Sequence, residues 1–325
     1  MEVSTRPAVP VITSPNGGPS QLTAFARALV ANVSEAVRGK PESVNLAAAA
    51  VLAGGHVLIE DVPGVGKTLL AKSLAQSLGG TFQRVQGTSD LLPSDITGVT
   101  VYDPERREWR FRRGAVFANV LLVDEINRAT PRAQSALLEA MEERQVTVDG
   151  STYLLPRPFI VLATQNPHGS AGTFPLVEGQ LDRFSVVLSL GHPTRAVERG
   201  LLLGEGGVGS DLRPVESIGA VESLLVRVGD IHCAPAVADY ILDIVDGTRD
   251  HPAVRTGASP RASLGLLSVA RGVAALSGRQ YVIPDDVKAA AIASLSHRVV
   301  LSAATNLRDV ERLLAEVVRS TPVPA

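Results

Sequence analysis

Residues 58 to 68 read LIEDVPGVGKT. The GVGKT half has the glycine spacing and Lys-Thr ending of a phosphate-binding turn, but Asp61 stands where the G-x-x-x-x-G-K-[ST] pattern has its first glycine. Context argues for the turn. HVLIE at 56–60 predicts a strand, and KTLLAKSLAQSL at 67–78 spaces Leu70, Leu74 and Leu78 on one helical face before Gly79 and Gly80 end it. A turn that joins strand to helix aims the N–H groups of Gly64 to Thr68 from a helix N-terminus, where unpaired donors and partial positive charge bind phosphate oxygens. The expected cradle is Pro63, Gly64, Val65, Gly66, Lys67, Thr68 and Leu69. Lys67 would reach the β- and γ-phosphates, and the Thr68 hydroxyl suits Mg²⁺. Asp61 lies at the start of the turn, outside the cradle, so losing that glycine should cost loop freedom rather than a ligand. The competing reading is a plain glycine-rich turn with an exposed lysine.

A second element points the same way. In NVLLVDE at 119–125, four apolar residues make a buried strand that delivers Asp124 and Glu125 at its carboxyl end, where open α/β sheets gather their ligands. Asp124 would join the Mg²⁺ shell, and Glu125 would act as general base on the attacking water. A strand ending in Asp-Glu alone is often only a solvated strand end, and the upstream turn is what gives it weight.

The rest of the chain bounds these readings. Its 325 residues favour two domains, and 45 % hydrophobic with 20 % charged residues is an ordinary globular composition. A formal net charge of −2 supplies no general attraction to nucleic acid or anionic lipid. Cys233 is the only cysteine, which rules out an internal disulfide and fits a reducing compartment. No apolar stretch is long enough to span a bilayer, so the expected location is the cytoplasm. Residues 1–20 read as a flexible arm rich in Pro, Ser and Gly. Residues 21–192 alternate helical segments with the runs HVLIE, TFQRVQ, NVLLVDE, FIVLATQ and FSVVLSL, the signature of a parallel sheet covered by helices. From 193 to 325 strand signals almost vanish and a smaller helical domain is expected, with a boundary where Gly and Pro cluster near 191–214.

With these motifs in order, EDVPGVGKT, NVLLVDEINRATPRAQSALLEAMEERQVTVDG, FIVLATQNP, QLDRF and GASPRA, the chain resembles the MoxR family of AAA+ ATPases over about residues 30–300. That resemblance implies a P-loop αβα module followed by an all-α lid, with ATP and Mg²⁺ as cofactors. MoxR-like sequences commonly carry EDVPG in place of a leading glycine. Asn166 matches the sensor-1 position that orients the lytic water, although an Asn before Pro167 is also a good turn former. Arg183 in QLDRF resembles an arginine finger that reaches a neighbour's γ-phosphate, with a surface salt bridge to Asp182 as the alternative. Arg261 in GASPRA matches sensor 2, acting in cis or across the interface. Val37 to Gly39 resemble the segment that contacts adenine. PLVEGQLDRF departs from the family's PLPEAQLDRF at Val177 and Gly179, which could loosen the helix presenting Arg183.

Two insertions complete the pattern. SDITGVTVYDPERREWRFRR at 94–113 reads as a hairpin turning at Asp103 and Pro104, and RQVTVDGSTYLL at 144–155 as another turning at Asp149 and Gly150. They match the family's helix-2 insert and pre-sensor-1 hairpin, which would face the channel of a ring, or else merely pack on their own domain. Glu105 and Glu108 interrupt the arginines at 106, 107, 110, 112 and 113, which favours a solvated hairpin or protein contact over nucleic acid. His232 and Cys233 lack further ligands, so no zinc is expected. The expected activity is Mg²⁺-dependent ATP hydrolysis by a homo-oligomer, hexameric by resemblance, that remodels or matures a protein client, with a von Willebrand factor A domain partner implied. The rivals are a nucleic-acid motor or loader and an ATP-gated scaffold with negligible turnover.

Overall fold

The five apolar runs pair as one parallel sheet. The computed structural model describes residues 20–62, 64–166, 172–204, 212–303 and 307–324; of the arm expected at 1–20, all but Ser20 lies outside them. Two helices lead, α1 (Gln21–Ala36) and α2 (Pro41–Leu52), and Ser20 caps α1 by accepting from the Thr23 N–H at 3.3 Å. Strand β1 (Val57–Glu60) feeds α3 (Lys67–Leu78), then β2 (Phe82–Gln86), then a first excursion of α4 (Pro93–Thr97), β3 (Gly98–Asp103) and β4 (Glu108–Arg113). Strand β5 (Val120–Asp124) and α5 (Pro131–Glu143) precede the second excursion, β6 (Gln145–Val148) and β7 (Ser151–Leu154). After it come β8 (Ile160–Gln165), the single turn α6 (Glu178–Leu181) and β9 (Val186–Leu188).

The sheet runs in the order β2-β5-β8-β1-β9, with every pair parallel. Strands β5, β8, β1 and β9 are apolar almost throughout because both faces are covered, whereas the edge strand β2 carries Gln83, Arg84 and Gln86 and is largely exposed. Val120 and Leu122 of β5 join one core with α1 to α3, while Leu121 and Val123 join another with α5. Residues Ile160 to Ala163 of β8 divide the same way. Each such buried branched side chain contributes about 1.5–3 kcal/mol. The order sets β5 and β1 on either side of β8, so Asp124, Gln165 and Glu60 end at one edge of the sheet.

Both hairpins form. Asp103 pairs with Glu108 across the first, and the second turns on Asp149 and Gly150 with φ of 49° and 77°. They meet through Phe111 stacked on Tyr153, 3.9 Å between ring centroids and 13° between planes. Between them, Thr130 caps α5 and Met141 is buried as core.

The remaining chain is mostly helical: α7 (Arg195–Leu202), α8 (Ile218–Gly229), α9 (Pro235–Arg249), α10 (Pro260–Leu276), α11 (Pro284–Leu295) and α12 (Leu307–Ser320). The expectation of almost no strand here needs one correction, since β10 (Val254–Thr256) pairs antiparallel with β11 (Val300–Leu301). Strands this short leave no periodic signature. Helix α10 packs on α2 and α11, and the first core continues through them without a break. Among the described residues no helix is long and apolar enough to cross a membrane.

Candidate nucleotide site

The loop after β1 takes the shape its glycines permit. Gly64 and Gly66 have φ of 86° and 103°, left-handed values that glycine adopts without strain, and Gly66 caps α3. Lys67 Nζ folds back to the carbonyls of Asp61 at 3.0 Å and Val62 at 3.3 Å. Pro63 lies outside the described residues.

Asp61 has a task of its own. Only 7 % exposed, it accepts through Oδ2 from the N–H groups of Leu190 at 2.8 Å and Gly191 at 2.6 Å and from the Ser189 hydroxyl at 3.0 Å. Its Oδ1 accepts from Val62 N–H at 2.8 Å. The carboxylate therefore ties the start of the loop to the segment leaving β9. A glycine could not, so the departure from the pattern replaces freedom with a fastening.

Opposite the loop, β5 presents its acids. Asp124 is 7 % exposed and pairs with Arg84 Nε at 2.7 Å, while the Thr164 hydroxyl donates to its Oδ1 at 3.4 Å. That same hydroxyl accepts from the Glu125 N–H at 2.9 Å, fixing a residue whose φ of 54° is unusual outside glycine. Glu125 is held by Arg128 Nε at 3.0 Å and by the Gln86 amide at 3.4 Å. Gly64, Gly66, Lys67, Thr68, Asp124 and Glu125 all line one cavity of about 560 Å³. The Thr68 hydroxyl and the Asp124 carboxylate are hard oxygen donors of the kind Mg²⁺ takes, so the residues fit that ion once Arg84 yields. Sequence reasoning missed Arg84 and Lys72, which also line this cavity. Lys72 follows Thr68 by one helical turn and could have been found; Arg84 becomes visible only through the pairing of β2 with β5.

A second cavity of about 360 Å³ adjoins the first and shares Gly64, Gly66, Leu69 and Leu201 with it. Val37, Val65 and Val197 add an apolar lining of the size and character that suits a base. Gly39 stands behind this wall, where an added Cβ would lie 3.1 Å from Val197 Cγ2, and its absence lets α7 close the slot. Part of the segment read as a boundary is thus a wall of the site.

The three residues carried by resemblance fall in two places. Asn166 follows β8 at the edge of the sheet, beside Gln165, whose amide donates to Glu60 in the neighbouring strand. Arg183 and Arg261 line neither cavity. They meet each other instead, through Glu142 at the end of α5: Arg183 Nη2 lies 2.8 Å from Glu142 Oε2, and Arg261 Nη1 3.1 Å from Oε1. The alternative pairing of Arg183 with Asp182 does not occur, because Asp182 pairs with Arg298 at 2.7 Å and with Arg261 at 3.7 Å. Despite Gly179 and Val177 the turn of α6 forms, and the Gly179 carbonyl accepts from Arg183 Nη1 at 2.5 Å.

A glycine loop between β1 and α3, an acid pair at the end of β5 and a helical unit after the sheet define a P-loop ATPase of the AAA+ class. Residues 56–186 match the family described as ATPase family associated with various cellular activities, and residues 246–317 match the AAA lid domain. The chain belongs to the MoxR family of AAA+ ATPases, and it is an ATPase. It is 43 % identical to the uncharacterized protein YeaC of Bacillus subtilis over 91 % of this chain and 93 % of that one. It is 40 % identical to the chaperone MoxR1 of Mycobacterium tuberculosis over 91 % of this chain and 81 % of that one. The crystal structure of a candidate ATPase from Cytophaga hutchinsonii superposes with a TM-score of 0.84 at 31 % identity, covering 94 % of this chain and 96 % of that one.

Proposed function

We propose that the chain hydrolyses ATP in a Mg²⁺-dependent reaction, as a cytoplasmic homo-oligomer of six copies, and turns that hydrolysis into remodelling or maturation of a protein client. One observation carries this reading: the loop and acid pair share a cavity, while Arg183 and Arg261 are gathered away from it. Arg183 and Arg261, which line neither cavity of their own subunit, would complete the crevice of a second copy. In this reading the arm is 1–20, the nucleotide module 21–192 and the lid 193–325.

The residues divide the reaction. N–H groups of the loop and the Lys67 ammonium hold the β- and γ-phosphates, and the apolar slot by Val37 and Leu201 holds the base. Thr68 and Asp124 would hold Mg²⁺, which when bound neutralises charge on the phosphate oxygens. Glu125, helped by Asn166, orients water and takes its proton as the new oxygen–phosphorus bond forms. The bond to the bridging oxygen then breaks and ADP leaves. Arg183 and Arg261 of a neighbouring copy stabilise the charge of that transition state. The hairpins, joined by Phe111 and Tyr153, would carry the movement to the client. The relative named a chaperone supports the client reading, and a von Willebrand factor A domain protein as partner follows from family resemblance.

The test is assembly of Glu125→Gln, followed by sedimentation velocity. Mg²⁺ with ATP should yield a six-copy species that EDTA disperses. Monomers under saturating ATP would remove the ring, and ATPase stimulation by DNA or RNA with steep salt dependence would favour a nucleic-acid motor.

A further inference from the structure

Glu142 is the residue in which the two arginines meet, and nothing in the sequence patterns gives it a role. One oxygen of its carboxylate faces Arg183 and the other faces Arg261, at 2.8 and 3.1 Å. Two guanidinium groups side by side repel, so an anion between them is what keeps them paired. The chain of charges continues, since Arg261 also approaches Asp182, and Asp182 holds the nearly buried Arg298. Arg298 donates to the carbonyls of Asp182 and Phe184, flanking Arg183 on both sides. Three pieces of backbone thereby converge on one carboxylate: the end of α5, the segment after α6 and the start of α10.

Exposure decides what such a carboxylate can do. The side chains of Arg183, Glu142 and Arg261 are 28 %, 36 % and 48 % exposed, so an incoming anion can reach the group. Partly exposed ion pairs contribute only about 0.2–1 kcal/mol each, enough to orient a side chain but too little to hold it against a multiply charged phosphate. A buried pair would refuse the exchange, and a fully solvated one would not orient anything.

We infer that Glu142 is a positioning residue that stands in for a neighbour's γ-phosphate, holding Arg183 and Arg261 as a ready pair until that phosphate replaces it. This rests on the reading that Arg183 acts across the interface. The Glu142 carboxylate reaches no phosphate itself; it sets the spacing at which the two guanidinium groups meet one.

The experiment mixes subunits. Glu142→Gln keeps the shape and removes the charge, and should lower kcat roughly tenfold, about 1.4 kcal/mol of barrier, with ATP affinity of dispersed subunits unchanged. Glu142→Asp, which restores the charge, should recover most of the rate. Because the defect lies on the side that donates arginines, Glu142→Gln subunits mixed with Glu125→Gln subunits should regain activity, whereas mixing them with Arg183→Ala subunits should not. A wild-type rate in Glu142→Gln, or recovery on mixing it with Arg183→Ala, would overturn the assignment. The control is Arg183→Ala mixed with Glu125→Gln. If verified mixed assemblies of that pair stay inactive, the reading of Arg183 across the interface fails first, and the role of Glu142 falls with it.

Discussion

The phosphate crevice and the arginine cluster are built on opposite plans. The crevice hangs from the ends of buried strands, its acid pair positioned by Thr164 and its loop fastened by Asp61, so its backbone is in place before any ligand arrives and only the Arg84 and Lys67 side chains must change partners. The cluster draws one residue each from α5, the segment after α6 and the start of α10, and its members stay partly exposed. The first half is preorganised to bind; the second is held loosely enough to change partners. The proposed action across a subunit interface needs that division, because an arginine pair fixed in place could not exchange Glu142 for a phosphate.

The sharpest ways to break this contrast lie in the crevice. Lys67→Ala should abolish measurable nucleotide binding in a titration with a fluorescent ATP analogue, and intact affinity would mean the phosphates sit elsewhere. Glu125→Gln should retain ATP yet hydrolyse it about 10²–10³-fold more slowly, within the range assigned to general-base catalysis. An unchanged single-turnover rate would remove Glu125 from that role. On the arginine side, Arg261→Ala should lower kcat on the order of 10²-fold, as loss of one preorganised donor to transition-state charge does, without weakening ATP binding to dispersed subunits. Weaker binding to monomers would instead put Arg261 in its own subunit's site.

Two smaller effects sharpen the comparison. Asp61→Gly restores the consensus glycine but strands the N–H groups of Leu190 and Gly191 and the Ser189 hydroxyl. It should cost about 3 kcal/mol of stability and weaken ATP binding; a neutral or stabilising result in thermal unfolding would show that the fastening is idle. Two buried histidines add a pH dependence. His56, just before β1 and so at the end of the strand away from the crevice, accepts from Val161 N–H at 3.0 Å, and His297 donates to the Phe184 carbonyl at 2.9 Å beside Arg183. Burial first, then a nearby arginine, lowers both pKa values from 6.5 to about 3. The folded chain thus disfavours their protonation, so stability is full above pH 6.5 and falls as acid protonates the unfolded chain. The slope is about 1.4 kcal/mol per pH unit for each histidine until the folded pKa is reached. Replacing His297 with Gln should remove one share of the slope in urea titrations between pH 6.5 and 5, and an unaltered slope would show that it does not titrate this way.

Much of the crevice was legible because its parts are local. A strand with two covered faces must be apolar throughout, and a left-handed loop needs its glycines, so β1, β5 and the Gly64–Thr68 turn announce themselves. What stayed hidden depends on register and packing. Arg84 reaches Asp124 only because β2 lies beside β5, and Asp61 finds its donors only because β9 lies beside β1. Glu142 looks like any surface glutamate at the end of a helix until the start of α10 brings Arg261 to it. Helix α7 walls the base slot from a stretch rich in Gly and Pro nearby, where composition suggested only a joint.

The most direct test of a crevice completed from outside is wild-type ATPase rate per subunit, measured across a dilution series alongside sedimentation. The rate should fall steeply once the assembly dissociates, while ATP binding persists. A per-subunit rate that stays constant when only monomers remain would contradict the account.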